Sequence, residues 1–150
     1  MKLTTRIFGE VEIDDSKIIS FPNGIIGFPD LKKFTLMYDE EKGTDTIKWL
    51  QSIDEPSFAM PVMDPLVVCP DYKPEVDKSL VEQIGELENE DLLILVTVTV
   101  PHDLTKMTVN LKGPFIINVA AMKASQTIID NDEYPVKFPI YDILQEKKES

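Results

Sequence analysis

Leu92-Leu93-Ile94-Leu95-Val96-Thr97-Val98-Thr99-Val100 is the stretch on which the fold turns. It is nine residues long and includes two Thr, about half of the roughly 20 apolar residues that a spanning helix needs. Val, Ile and Thr are stiff at χ1 and favour extended backbone, so the run reads as a strand. The chain as a whole leans the same way, with 12 Val, 16 Ile and 10 Thr against 4 Ala in 150 residues. Outward from this strand, short β runs are divided by Gly, Pro and Asp. They cover 2–8 and 10–13, broken at Gly9, then 18–21, Phe34 to Tyr38, Ile47 to Ile53, Phe58 to Met63 and Leu66 to Val68. Beyond Val100 come Met107 to Leu111, Phe115 to Val119 and Thr127 to Ile129. About nine or ten strands and one helix predict a mainly β fold, a small closed or nearly closed antiparallel barrel, because closure removes exposed edges.

The helix is expected over 77–84. Asp77 suits an N-cap, Val76 and Val81 suit a hydrophobic staple, and Leu80, Val81 and Ile84 share a face. Gly85 stands where a left-handed residue ends a helix. One domain is expected over 1–144, followed by a polar, frayed tail over 145–150.

Phe21-Pro22-Asn23-Gly24-Ile25-Ile26-Gly27-Phe28-Pro29 reads as a built loop. Pro22 pre-sets φ, and Gly24 and Gly27 supply backbone angles closed to other residues. Its apolar members are expected to plug one end of the core, with the rings of Phe21 and Phe28 buried. Pro114, in Lys112-Gly113-Pro114, marks a second architectural turn.

Acids outnumber bases, 27 to 15, for a formal charge of −12 and a pI of about 4.4. Such a field repels polyanions and attracts basic partners, which argues against nucleic acid as a direct ligand. The single Cys, Cys69, excludes an intramolecular disulfide and a Cys-based zinc site. The opening residues lack an apolar signal core, and no run is long enough for a membrane span, so a cytoplasmic protein is expected. His102, the only His, lies in a turn-like Pro101-His102-Asp103. Nucleophile-elbow, phosphate-loop and dinucleotide glycine patterns are missing. The carboxylate clusters, such as Asp14-Asp15 and Asp130-Asn131-Asp132-Glu133, fall in loops where both acids are solvated. No enzyme chemistry and no cofactor are expected.

What remains is binding. Glu86, Glu88 and Glu90 form the densest acidic run and are candidates for a partner surface. Trp49 is either a half-buried strand residue or a partner hot spot. Asn110, before Leu111-Lys112-Gly113-Pro114, either caps a turn or meets a ligand.

Three segments together give the chain a resemblance to the FliW family of bacterial flagellar assembly factors. The first is Ile19-Ser20-Phe21-Pro22-Asn23-Gly24-Ile25-Ile26-Gly27-Phe28. The second is Leu50-Gln51-Ser52 followed by Phe58-Ala59-Met60-Pro61-Val62-Met63-Asp64-Pro65. The third is Asn110-Leu111-Lys112-Gly113-Pro114-Phe115-Ile116-Ile117-Asn118, with Gln126 soon after. Two positions depart from the family pattern: Ile26 stands where Pro is frequent, and Gly113 where Ala commonly precedes the Pro. The resemblance implies a partner switch without catalysis. It would bind the RNA-binding translational repressor CsrA beside its RNA site, relieving repression of flagellin translation, and newly made flagellin would titrate it away. A flagellin export chaperone with no regulatory arm, and a small carboxylate-dependent hydrolase, stay open as alternatives.

Overall fold

The computed structural model describes residues 1–37, 47–74, 82, 84–85, 92–130 and 133–149. Among them are eleven strands: β1 (Lys2–Thr5), β2 (Gly9–Glu12), β3 (Ile19–Ser20), β4 (Lys33–Met37), β5 (Ile47–Ser52), β6 (Ala59–Met63), β7 (Leu92–Thr99), β8 (Thr108–Val109), β9 (Phe115–Asn118), β10 (Lys123–Gln126) and β11 (Phe138–Pro139). A helix, α1, spans Tyr141–Glu149.

β7 organises the fold. It pairs with β6, with β8 and with β9, all antiparallel. From β7 the pairings run through β6, β5, β4, β3, β10 and β9 and return to β7, a ring of seven strands. The ring is mainly β and antiparallel, as expected, with one exception. β10 meets β3 in parallel through the single pair Lys123↔Ser20, supported by Ser20 N–H donating to Met122 O at 2.9 Å. β8 and β11 extend the sheet beyond β7, and β1–β2 form a separate hairpin.

The unbroken apolar run of β7 follows from burial on both faces. Successive side chains alternate between two cores. Leu93 and Leu95 join Phe21, Phe34, Leu50, Val62, Phe115 and Ile117 inside the barrel. Ile94, Val96 and Val98 join Met63, Tyr72, Val109, Leu111 and Ile140 in a second cluster. Ile143 and Leu144 of α1 pack on that second cluster.

Three sequence expectations change. Leu66 to Val68 is not a strand: Pro65–Val67 is a 3-10 turn, because the Asp64 carboxylate accepts from Leu66 N–H and Pro65 sits at the first helical position. Thr127 to Ile129 is not a strand either. The strand lies earlier, at β10, and 127–129 bonds instead to the 110–114 turn, through Thr127 N–H to Pro114 O and Ile129 N–H to Lys112 O. The tail over 145–150 is helical as far as Glu149, continuing α1. The helix expected over 77–84 falls largely outside the described residues. Glu82 and Ile84 are helical, and Gly85 has the left-handed φ of +88° that a helix end favours.

Candidate partner-binding surfaces

The opening loop is rigid for reasons visible residue by residue. Phe21 is fully buried and meets Phe34 and Phe115 edge-on, at 5.2 and 5.8 Å between ring centroids. Gly24 has φ +69°, and a Cβ there would lie 2.6 Å from the Pro29 Cα. Ile25 and Phe28 bridge each other, with Ile25 N–H donating to Phe28 O at 3.2 Å and Phe28 N–H to Ile25 O at 2.9 Å. Gly27, inside this tight turn, has φ +88°.

The Phe28 ring is not buried. It is 46% exposed, resting on Phe58 at 4.8 Å between centroids. The core position belongs to Ile25, which is 5% exposed. Ile26 beside it is 54% exposed. The loop therefore plugs the barrel with Phe21 and Ile25 and displays Ile26 and Phe28 outward.

Gln126 braces this loop. Its Oε1 accepts from Ile26 N–H at 2.8 Å, and its Nε2 donates to Gly113 O at 3.0 Å. Asn110 acts on the same turn: its Oδ1 accepts from Lys112 N–H and Gly113 N–H, each at 3.0 Å. Turn capping is one of the two roles foreseen for it. Pro114 is buried at the end of the turn.

Trp49 is half-buried in β5, with its ring edge-on to Phe8 at 6.5 Å. Phe8 belongs to the turn between β1 and β2, so the ring packs against that hairpin. Glu86, Glu88 and Glu90 lie outside the described residues. The sequence reading missed Gln51, which is fully buried with Nε2 donating to Ser52 O, Pro56 O and Phe58 O. A polar residue inside an apolar strand was the available signal.

A second surface is a cleft of about 780 Å³ beside the β3–β10 seam. Leu36, Leu93, Val119 and Met122 give it an apolar lining, and Glu12, Asp14 and Lys17 also line it. Met122 holds a φ of +54°, uncommon for a residue with a Cβ. Hydrogen bonds from Ser16 hold the Asp14 carboxyl below the usual carboxylate range, with Lys17 adding a smaller effect. Burial, reinforced by Asp71, pushes the Cys69 thiol up, away from a reactive thiolate. Among the described residues, no three His, Cys, Asp or Glu side chains are grouped to hold a metal ion, and no helix is long and apolar enough to cross a membrane.

These features define a small β-barrel protein whose distinctive surfaces are a braced apolar loop end and a cleft that carries charges of both signs. The family model described as FliW protein matches residues 2–140. The flagellar assembly factor FliW of Lachnospira eligens is 48% identical, over 99% of both chains. That of Lachnoclostridium phytofermentans is 42% identical, over 98% of this chain and 95% of the relative. A crystal structure of the flagellar assembly factor FliW superposes with a TM-score of 0.87 at 29% identity, covering 94% of this chain and 97% of that one. The chain belongs to the FliW family of flagellar assembly factors.

Proposed function

We propose that this flagellar assembly factor works as a partner switch without catalysis, in the cytoplasm, binding a CsrA-type RNA-binding repressor at one time and flagellin at another. The observation that carries the reading is the match to the FliW family over residues 2–140. The charge of −12 supports it, since a protein that holds RNA is basic and an acidic neighbour is drawn to it and opposes the RNA. While bound, the protein weakens the repressor's hold on the flagellin message. Newly made flagellin competes for it and restores repression, and flagellin export releases it again. A coupling of about 1–3 kcal/mol corresponds to roughly 5–150-fold weaker RNA binding.

Affinity capture from a flagellated bacterium tests this reading. Recovery of CsrA and flagellin is the expected result. Flagellin alone would favour an export chaperone, and neither would remove the partner switch altogether.

A further inference from the structure

The loop end and the cleft differ in chemistry. Three segments meet at the loop end: Phe21 to Pro29, Asn110 to Pro114, and Lys123 to Ile129. They are tied together by Gln126 and by the backbone bonds from Thr127 and Ile129 to Pro114 and Lys112. In a chain with 27 acids these segments hold no Asp or Glu, and their only charges are Lys112 and, at the β3–β10 seam that borders the cleft, Lys123. The acids nearest in sequence, Asp30 and Asp130, stand just outside them. Together the segments display Ile26, Phe28 and Ile128, which are 54%, 46% and 58% exposed.

Exposed apolar side chains on a braced backbone are suited to binding, because little conformational freedom remains to be lost on contact. Here the charge pattern selects the partner. A basic protein steered by the overall field gains nothing from a surface that carries only Lys. An apolar segment without basic residues meets no carboxylate within the three segments, whose flanking Asp30 and Asp130 are exposed to solvent. The cleft differs: its lining carries the carboxylates of Glu12 and Asp14 together with Lys17.

We propose that the Gln126-braced loop end, displaying Ile26, Phe28 and Ile128, is the docking surface for an apolar, non-basic protein segment. Under the two-partner reading above, on which this rests, that segment belongs to flagellin and not to the basic repressor.

The test measures binding of purified flagellin and purified CsrA to the full chain and to three variants. Ile26→Asp and Ile128→Asp each place a carboxylate on a different segment of the loop end while keeping the backbone N–H, so one serves if the other folds poorly. Val119→Asp does the same at the cleft. Ile26→Asp and Ile128→Asp are expected to weaken flagellin binding by about tenfold or more and CsrA binding by less than about twofold, as for a central apolar contact. Val119→Asp should leave flagellin unchanged. Unchanged flagellin binding by a loop-end variant that melts with the parent would overturn the proposal, as would an equal loss of both partners. A parent chain that binds neither protein removes the partner-switch reading itself, and the proposal with it, whereas a parent that binds both keeps that reading whatever the variants do.

Discussion

Ile26 N–H donates to Gln126 Oε1 at 2.8 Å, joining two residues exactly one hundred positions apart in sequence. Gln126 Nε2 reaches Gly113 O at 3.0 Å. These contacts fall on the two positions where the chain departs from the pattern it otherwise resembles. A Pro at 26 has no N–H to give. A Cβ at 113 would lie 3.3 Å from both Gln126 Nε2 and Asn110 Nδ2. The two departures therefore fit one another through a single side chain. Ile26→Pro and Gly113→Ala should each cost about 1 kcal/mol. Together they should cost less than their sum by about 0.5–1 kcal/mol, since Gln126, freed from residue 26, can swing away from the new methyl. Denaturant unfolding of the parent, both single variants and the double variant closes the cycle, and strict additivity would dissociate the two positions.

Gly24 and Gly27 separate steric overlap from backbone strain within one loop. Both have left-handed φ, but a Cβ at Gly24 runs into the Pro29 backbone while one at Gly27 meets nothing within 4 Å. Gly27→Ala should cost only the strain, about 1–2 kcal/mol. Gly24→Ala adds an overlap with backbone that cannot move aside, for about 3 kcal/mol or more in all. Equal urea midpoints for the two variants would show that Pro29 yields.

The two phenylalanines of the loop should also part company. Phe21→Ala empties a fully buried site and should cost about 3–5 kcal/mol. Phe28→Ala loses one stacking partner and part of its burial, about 1–2 kcal/mol. Thermal melts of both variants provide the comparison, and a Phe28→Ala loss as large as that of Phe21→Ala would return the ring to the core.

Phe28 also marks how far local sequence carries. Alternation and β-branching are local, and they placed β4, β5, β6, β7 and β9 to within a residue or two. The loop's rigidity was legible in Pro22, Gly24 and Gly27. Which ring turns inward was not, because it depends on Ile25 taking the core position and on Phe58, thirty residues later, covering one face of Phe28. The Gln126 brace was hidden for the same reason, since its partners lie at 26 and 113. The miss at α1 differs. Ile140, Ile143 and Leu144 have helical spacing, but the charged residues after them outweighed it. The closure of the ring rests on one pair, Lys123↔Ser20, too short a pairing to leave a pattern in sequence.

Tyr72 predicts behaviour at high pH. Its hydroxyl donates to the Leu111 carbonyl at 2.6 Å, and the Tyr134 ring stands edge-on at 4.6 Å. Burial, with smaller effects from Tyr134 and Cys69, pushes its pKa far above the ordinary tyrosine value. A pKa raised in the folded state means that stabilisation is complete below the unfolded value of about 10 and is lost as pH climbs through and beyond it, because only the unfolded chain releases the proton. Stability should therefore fall above about pH 10, and Tyr72→Phe should flatten that fall. Near neutral pH the same variant should cost about 1–2 kcal/mol, because the Leu111 carbonyl loses its donor. Urea unfolding of parent and variant at neutral and alkaline pH checks both parts, and parallel pH curves would assign the alkaline loss to other groups.

If the chain binds CsrA and flagellin as proposed, the −12 charge predicts a difference in how fast the two bind. Like-signed charge spread over a surface accelerates the encounter with a basic protein, and salt screens it over about 8 Å at physiological strength. Raising ionic strength to about 0.5 M should slow CsrA association markedly. Flagellin, if it docks on the apolar loop end as proposed, should show little change. Glu86, Glu88 and Glu90 form the densest acidic run, so neutralising all three to Gln should reproduce part of the salt effect for CsrA and none for flagellin. Neutralising Lys112 and Lys123 to Gln should leave CsrA no slower, since these cations can only oppose a basic partner. Association rates of both partners across a salt series, with the two charge variants alongside, separate steering from docking. If CsrA and flagellin show the same salt slope, the acidic surface serves solubility and does not capture the repressor.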